Sequence, residues 1–202
     1  MARTPKVVED RREQIIDAAM HTFAQKGFTR ATNKDIAHEA GITPGLIYHY
    51  FDSKEALFKA IIDERSPVHM LHSLPQEMLM LPPGTLLPLL LQQALAIVEG
   101  EDFIQLIRVF LPEVILNPEI SPLGLSVLQQ VVQFLADYFT SKIQSGELRA
   151  CDASLTAQVL LGSLIGFVLR RQIFRDPLAL QLSHTQIITT VVDTVLQGLL
   201  PR

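Results

Sequence analysis

The residues best suited to chemistry lie between positions 43 and 54, where hydroxyl, phenol, imidazole and ammonium groups come close together in the sequence. Tyr48 and His49 can each donate a hydrogen bond to a phosphate oxygen, and a neutral imidazole keeps that ability. Thr43 stands just before Pro44, as an N-cap residue does at a helix whose first N–H groups favour an anion. These residue types predict a surface that binds a polyanion through its phosphates.

Two short helices joined by a tight turn must position these groups. Thr32 is a good N-cap for the first helix, and Asp35, three residues on, has the spacing of a capping box. Gly41 lies in the turn, where a residue tolerant of positive φ is needed, and Pro44 opens the second helix, where a missing N–H costs nothing. Helix, glycine turn and helix form the helix-turn-helix, whose second helix enters the major groove of DNA.

Each exposed residue of this motif has an expected task on DNA. Lys34 and Lys54 would hold phosphates and make binding depend on salt. Gly45 would let the second helix approach the bases, whereas Leu46 cannot read a hydrogen-bonding edge and could only contact a thymine methyl. The residues predicted to contact DNA are Thr32, Lys34, Thr43, Pro44, Gly45, Leu46, Tyr48, His49 and Lys54.

The run AGITPGLIYHYFDSKEAL, residues 40–57, resembles the signature of the TetR family of bacterial transcriptional regulators. The matching features are the Ala-Gly pair, the threonine cap, the following glycine, the YHYF run and the SKEAL segment. Leu46 departs from the family, which more often has a small polar residue there, so the base preference is not readable. The resemblance implies a cytoplasmic homodimer that binds a palindromic operator, most often as a repressor, and leaves it when a small molecule binds.

Length and composition fit such a protein. The chain has 202 residues, of which 48% are hydrophobic, so a substantial core is possible, and its net charge is −4. No stretch alternates with period two, which predicts an all-α fold. We expect an N-terminal three-helix helix-turn-helix DNA-binding domain over residues 1–65 and a larger C-terminal helical ligand-binding and dimerisation domain over residues 66–202.

Local signals predict where several helices begin and end. Residues 1–8 are expected to form a flexible arm, with the first helix starting at an Asp10–Glu13 capping box and stopping at Gly27. A later helix is expected to begin at a Thr85 cap, and Pro112 is expected to disturb the helix that contains it. The start of the chain lacks the apolar core of a signal peptide.

The family resemblance implies that two apolar helices near the C-terminus form a dimer interface. Gly162 and Gly166 form a small-xxx-small pair, which lets another helix approach closely. Both helices fall short of the ~18–20 apolar residues of a membrane span, so no membrane partner is expected. The predicted interface residues are Gly162, Gly166, Ile188, Val191, Val192, Val195 and Leu199. The alternative is that they pack within one subunit.

The family resemblance also implies an effector pocket in the C-terminal helices. Arg108 interrupts an apolar run, and it could either meet an acidic or polar effector or form a buried bridge with Glu113 or another acid; we favour the bridge. A mostly apolar lining would suit a hydrophobic or amphipathic effector, whose identity the sequence does not specify. The candidate lining residues are Phe103, Arg108, Phe110, Phe134, Tyr138 and Phe167, each of which could instead belong to the core.

Two other classes of protein agree less well with the sequence. An enzyme is disfavoured because the sequence has no Gly-rich phosphate loop, no GxSxG elbow and no HExxH motif. Cys151, the only cysteine, has no evident basic partner, and His69 and His72 could at best form a weak metal site. A helical scaffold would leave the outward set around Tyr48 without a task. No catalytic residue, cofactor or metal is therefore predicted.

Overall fold

The computed structural model describes residues 5–65, 68–116, 118 and 121–199. The described residues are mostly helical, and no strand occurs among them, which confirms the predicted all-α fold. The helices are α1 (Pro5–Lys26), α2 (Asn33–Glu39), α3 (Pro44–Tyr50), α4 (Lys54–Arg65), α5 (Val68–His72), α6 (Gln76–Leu79), α7 (Pro83–Val98), α8 (Glu101–Leu116), α9 (Ser121–Gln144), α10 (Ala153–Val168), α11 (Pro177–Leu180) and α12 (His184–Leu199).

The chain divides into two compact units that are not continuous in sequence. The first comprises residues 1–66 together with 101–125, and the second comprises residues 67–100 together with 126–202. The sequence prediction placed a single boundary between residues 65 and 66. The structure adds α8 to the first unit, because α8 packs against α1 and α4.

An aromatic cluster forms the core of the first unit. The cluster contains Phe23 of α1, Phe28 of the turn after α1, and Phe58 of α4. Their ring centroids lie 4.6 to 5.6 Å apart, in tilted or edge-on arrangements. Phe110 of α8 joins the cluster, with its ring centroid 5.3 Å from that of Phe58. This contact places a helix from a distant part of the sequence against the helices that precede and follow the helix-turn-helix.

The ends of several helices differ from the sequence predictions. Helix α1 begins at Pro5 rather than at Asp10, since proline is well tolerated in a first helical turn; residues 1–4 of the predicted arm lie outside the described chain. Gly27 ends α1 with φ of 77°, as predicted. Helix α7 begins at Pro83, not at Thr85.

Helix α8 continues through Pro112 to Leu116, so the predicted disturbance does not occur there. Proline cannot donate the hydrogen bond that would reach the carbonyl of Arg108. Both residues are exposed, so water can hydrate that carbonyl and the helix does not need to break.

In the second unit, α12 packs against α7 and α10.

A nearly buried ionic cluster joins the C-terminal end of α7 to a π-helical turn, Leu169–Ile173, that follows α10. Arg171 donates to Glu99 Oε1 at 2.6 Å and to the carbonyls of Ala179 and Leu182, while His184 Nε2 lies 2.7 Å from Glu99 Oε2. Burial alone would raise the pKa of Glu99, but the hydrogen bonds and positive charge of Arg171 and His184 lower it.

One helical stretch of the described chain, Ala153–Ile173, is long and apolar enough by length and composition to cross a membrane. It consists of α10 and the π-helical turn that follows it. Only 17% of its most apolar window is buried within the chain.

Candidate nucleic-acid interface

The N-terminus of α2 is closed by the predicted capping box. The amide of Asp35 donates to Thr32 Oγ1 at 3.2 Å, and the amide of Thr32 donates to Asp35 Oδ2 at 3.0 Å. Lys26 Nζ lies 2.6 Å from Asp35 Oδ1, and this hydrogen bond, together with those from Thr32, lowers the pKa of Asp35 from 3.8 to about 2. The Thr32 hydroxyl also donates to Asp35, so it stabilises the helix start.

The turn between α2 and α3 has the conformation that its glycine predicts. Gly41 has φ of 62°, which an L-residue adopts only with strain, and the amide of Ile42 returns to the carbonyl of Ala37 at 2.9 Å. Ile36 and Ile47 are fully buried and hold the two helices together. The helix-turn-helix predicted from the sequence is therefore present.

Helix α3 presents a polar face to solvent. Its N-cap, Thr43, is extended and its side chain makes no capping hydrogen bond. Tyr48 is 59% exposed, and a Cβ on Gly45 would meet no described atom within 4 Å other than those of its chain neighbours and its own helix backbone. The structure brings the following exposed residues onto this face: Thr43, Pro44, Gly45, Tyr48 and His49.

Residues flanking this face divide into two groups. Leu46 is partly exposed beside it, and Lys34 is exposed on α2. Phe51 is buried, and the Arg12 guanidinium lies 5.2 Å from its ring centroid. Tyr50 is only half-buried.

Lys54 has a different environment from the one predicted for a phosphate contact. Its ammonium donates to the carbonyls of Phe28, Thr29 and Ala31 at 2.9, 3.3 and 3.1 Å. It also lies 4.5 Å from the ring centroid of Phe28. All three N–H groups have acceptors, so Lys54 binds the turn between α1 and α2 in this structure.

Glu113 of α8 binds the backbone amides of the same turn. The amides of Phe28 and Thr29 donate to Glu113 Oε1 at 3.0 and 3.4 Å, and the Thr29 hydroxyl donates to Oε2 at 3.3 Å. The predicted Glu113 bridge to Arg108 is not formed, since Arg108 is exposed and has no ion pair within the described chain. Nothing in the local sequence signals a contact across 85 positions.

The candidate effector residues are not gathered in one unit. Phe103, Arg108 and Phe110 lie in the first unit, and Phe134, Tyr138 and Phe167 lie in the second. Phe110 belongs to the aromatic cluster of the first unit. The buried Tyr138 phenol donates to the carbonyl of Leu81 at 2.8 Å, and burial raises its pKa. Tyr138 is therefore buried in the core of the second unit, whereas Phe110 is half-buried and packs on Phe58.

The candidate dimer residues are also divided. The stripe on α12 is buried within the subunit against α7 and α10, so it cannot serve as the predicted outer surface; its members are Ile188, Val191, Val192, Val195 and Leu199. Gly162 and Gly166 of α10 are exposed, with open space at both Cβ positions. An apolar stripe can serve a core or an interface equally well, and its sequence does not distinguish the two.

A groove of about 460 Å³ lies along α1 and α2 in the first unit. Asp10, Glu13, Asp17 and Glu39 contribute carboxylates to its lining. This groove is a poor candidate for phosphate because its charge has the wrong sign. No group of residues in the described chain could hold a metal ion, and the side chains of His69 and His72 lie outside the described residues.

Comparisons with known proteins identify both parts of the chain. Residues 15–61 match the family described as bacterial regulatory proteins, tetR family. Residues 85–198, more than half of the chain, match the AefR-like transcriptional repressor C-terminal domain.

Individual relatives give the same result. The HTH-type transcriptional regulator UidR of Escherichia coli K12 is 25% identical over 197 residues, covering 92% of each chain. BetI of Brucella anthropi is 41% identical over 68 residues, so this chain spans about a third (32%) of its length. The structure of the Bacillus subtilis regulator FadR in complex with stearoyl-CoA has a TM-score of 0.73 at 22% identity, covering 92% of this chain and 98% of that chain, and shows a shared fold.

Proposed function

From the premise that this chain belongs to the TetR family of bacterial transcriptional regulators, we propose that it is a homodimeric repressor. It binds a palindromic operator in the bacterial cytoplasm and leaves it when a small hydrophobic molecule binds. The observation that carries this proposal is the exposed face of α3, where Thr43, Tyr48 and His49 surround the open position of Gly45. The matched families and relatives are regulators rather than enzymes, and we propose no catalytic activity.

In this proposal the α3 face enters the major groove. Tyr48, His49 and Thr43 donate hydrogen bonds to phosphates and set the register, while Lys34 adds positive charge. Pro44, Gly45 and Leu46 lie nearest the bases, and Leu46 contacts a thymine methyl. Thr32 and Lys54 act indirectly, by holding the start of α2 and the turn before it.

DNA binding is tested with fluorescence anisotropy. The labelled DNA is a fragment from upstream of the protein's own gene, and a scrambled fragment of equal length is the control. We expect selective binding whose log Kd rises linearly with log salt, because phosphate contacts release counterions. Equal affinity for both fragments, or no binding at low salt, would contradict the proposal and favour a helical scaffold.

The homodimer is proposed to form through α10. Leu155 and Val159 are 58% and 61% exposed, and with Gly162 and Gly166 they follow the spacing i, i+4, i+7 and i+11, which places them on one helix face. Large exposed apolar residues beside open glycines are the surface that a second helix can cover. A dimer also supplies the two α3 helices that a palindrome requires, one helical turn of about 34–36 Å or a multiple apart.

Val159→Glu is expected to convert the dimer to a monomer, because a charge would be buried at the interface without a partner. Light scattering coupled to size exclusion chromatography measures the mass. A dimer has a mass of about 45 kDa, twice the 22.5 kDa of one chain, and a monomer has half of that. Ser154→Glu is the control, since it adds the same side chain to an exposed position about 140° from Val159 around the helix. A dimer that persists in Val159→Glu would exclude this face.

The effector is proposed to be hydrophobic or amphipathic. Phe134 and Phe167 of the second unit are half-buried and remain candidates for its lining. The related fold of FadR holds stearoyl-CoA, so long-chain acyl-CoA is a suitable first probe for release from the operator. An effector can release the protein only if it binds the DNA-free conformation more tightly, and we propose that α4 transmits this difference to the spacing of the two α3 helices.

A further inference from the structure

We propose that Glu113 of α8 is a positioning residue for operator binding. Its carboxylate holds the turn between α1 and α2 in the conformation that presents α3 to DNA. This inference rests on the proposed function, since it assigns a residue to the operator-binding activity. It differs from the expectations drawn from the sequence, which placed Glu113 only as a partner of Arg108.

Glu113 and Lys54 together satisfy both kinds of backbone group in the turn. Glu113 accepts from the amides of Phe28 and Thr29, whereas Lys54 donates to three carbonyls of residues 28–31. Hydrogen bonds to ionised groups are stronger than those between neutral groups. The turn is thus held from two sides, by α8 and by α4.

The turn leads directly into the helix-turn-helix. Thr32, the N-cap of α2, follows Ala31, whose carbonyl accepts from Lys54. Helix α2 in turn packs against α3, and Ile36 on α2 and Ile47 on α3 are both fully buried. A displacement of the turn would therefore move the start of α2 and, with it, the α3 face.

Glu113 comes from a part of the sequence far from the helix-turn-helix. It lies within residues 85–198, which match the C-terminal family, yet α8 belongs to the same compact unit as residues 1–66. The chain enters this segment from Gly100 and leaves it after Leu125. Through Glu113, the C-terminal region supplies a carboxylate to the DNA-binding unit itself.

The charge of Glu113 and its contact with the turn lead to opposite expected changes in DNA affinity when the residue is removed. A carboxylate repels DNA, so electrostatics alone predicts that its loss tightens binding. If Glu113 positions the turn, its loss lowers the fraction of protein that is ready to bind, and Kd rises by that factor. The sign of the change therefore separates the two effects.

The test compares Glu113→Ala and Glu113→Gln by operator anisotropy with the full-length protein. A tenfold drop in the competent fraction would raise Kd about tenfold, and we expect this for Glu113→Ala. Glu113→Gln keeps an oxygen for the two amides and should lose less, although both variants remove the same charge. Glu101→Ala, an exposed glutamate on α8, is the control and should bind as wild type or slightly tighter.

Two further readouts separate positioning from instability and from direct contact. Measurements are made well below the melting temperature of each variant, and hydrogen exchange at the amides of Phe28 and Thr29 should be faster in Glu113→Ala. The slope of log Kd against log salt should not change, because no phosphate contact is lost. If wild type binds the operator and both variants bind equally or more tightly, this inference is wrong; if wild type does not bind DNA, the proposed function itself fails.

Discussion

Tyr48→Ala is expected to weaken operator binding about 100-fold without lowering the melting temperature. A hydrogen bond from the phenol to a charged phosphate is worth roughly 1.5 kcal/mol, or about tenfold. Because each operator-bound dimer would use two copies of Tyr48, the losses multiply. The side chain is 59% exposed and contributes little to the core. Anisotropy on the operator and thermal unfolding of the free protein measure the two effects.

Tyr48→Phe provides the matched control for this prediction. It keeps the aromatic ring and removes only the hydroxyl, so it should lose most of the affinity if the phenol donates to phosphate. The slope of log Kd against log salt should stay close to that of wild type, since a neutral donor releases no counterion. Wild-type affinity in Tyr48→Ala would remove this residue from the DNA-binding surface.

Glu99→Ala is expected to lower the free energy of unfolding by about 3 kcal/mol. The glutamate side chain is 13% exposed and its partner Arg171 12% exposed, so the variant leaves a guanidinium nearly buried without its counter-charge. For a chain of this size, that corresponds to a fall in melting temperature of about 10 °C. Calorimetry or circular dichroism at neutral pH measures it.

Two other variants test the origin of that loss. Glu77→Ala removes an exposed glutamate from the same unit and should change the melting temperature little. The double variant Glu99→Leu with Arg171→Met removes both charges and should be more stable than Glu99→Ala, because no buried charge is left unpaired. A double variant less stable than Glu99→Ala would assign the stability to the bonds from Arg171 to Ala179 and Leu182 instead.

The destabilisation by Glu99→Ala should also depend on pH. The pKa of Glu99 is lowered in the folded chain from its ordinary value of 4.5, so the folded state favours the ionised form. The stabilisation is therefore fully present above pH 4.5 and is lost as the pH falls through the folded-state pKa. The difference in melting temperature between wild type and variant should be constant near neutral pH and shrink below about pH 4.5.

Local features of the helix-turn-helix were predictable because each depends on residues a few positions apart. The capping box joins Thr32 to Asp35, and Gly41 takes positive φ in its own turn. The exposed residues of α3 follow from helical periodicity once Ile47 is assigned to the core. The family resemblance was carried by the same short segment, and the comparisons confirm it.

Contacts between residues far apart in the chain could not be predicted from the sequence. A stripe such as that on α12 has the same composition whether it faces its own subunit or a partner, and only the packing against α7 and α10 decided that it is core. An ammonium such as that of Lys54 can bind phosphate or carbonyl oxygens equally well. Its position over the turn between α1 and α2 settled the choice in this structure. The contact of Glu113 with Phe28 depends on α8 packing against α1 and α4, and no local propensity encodes a pairing across 85 residues.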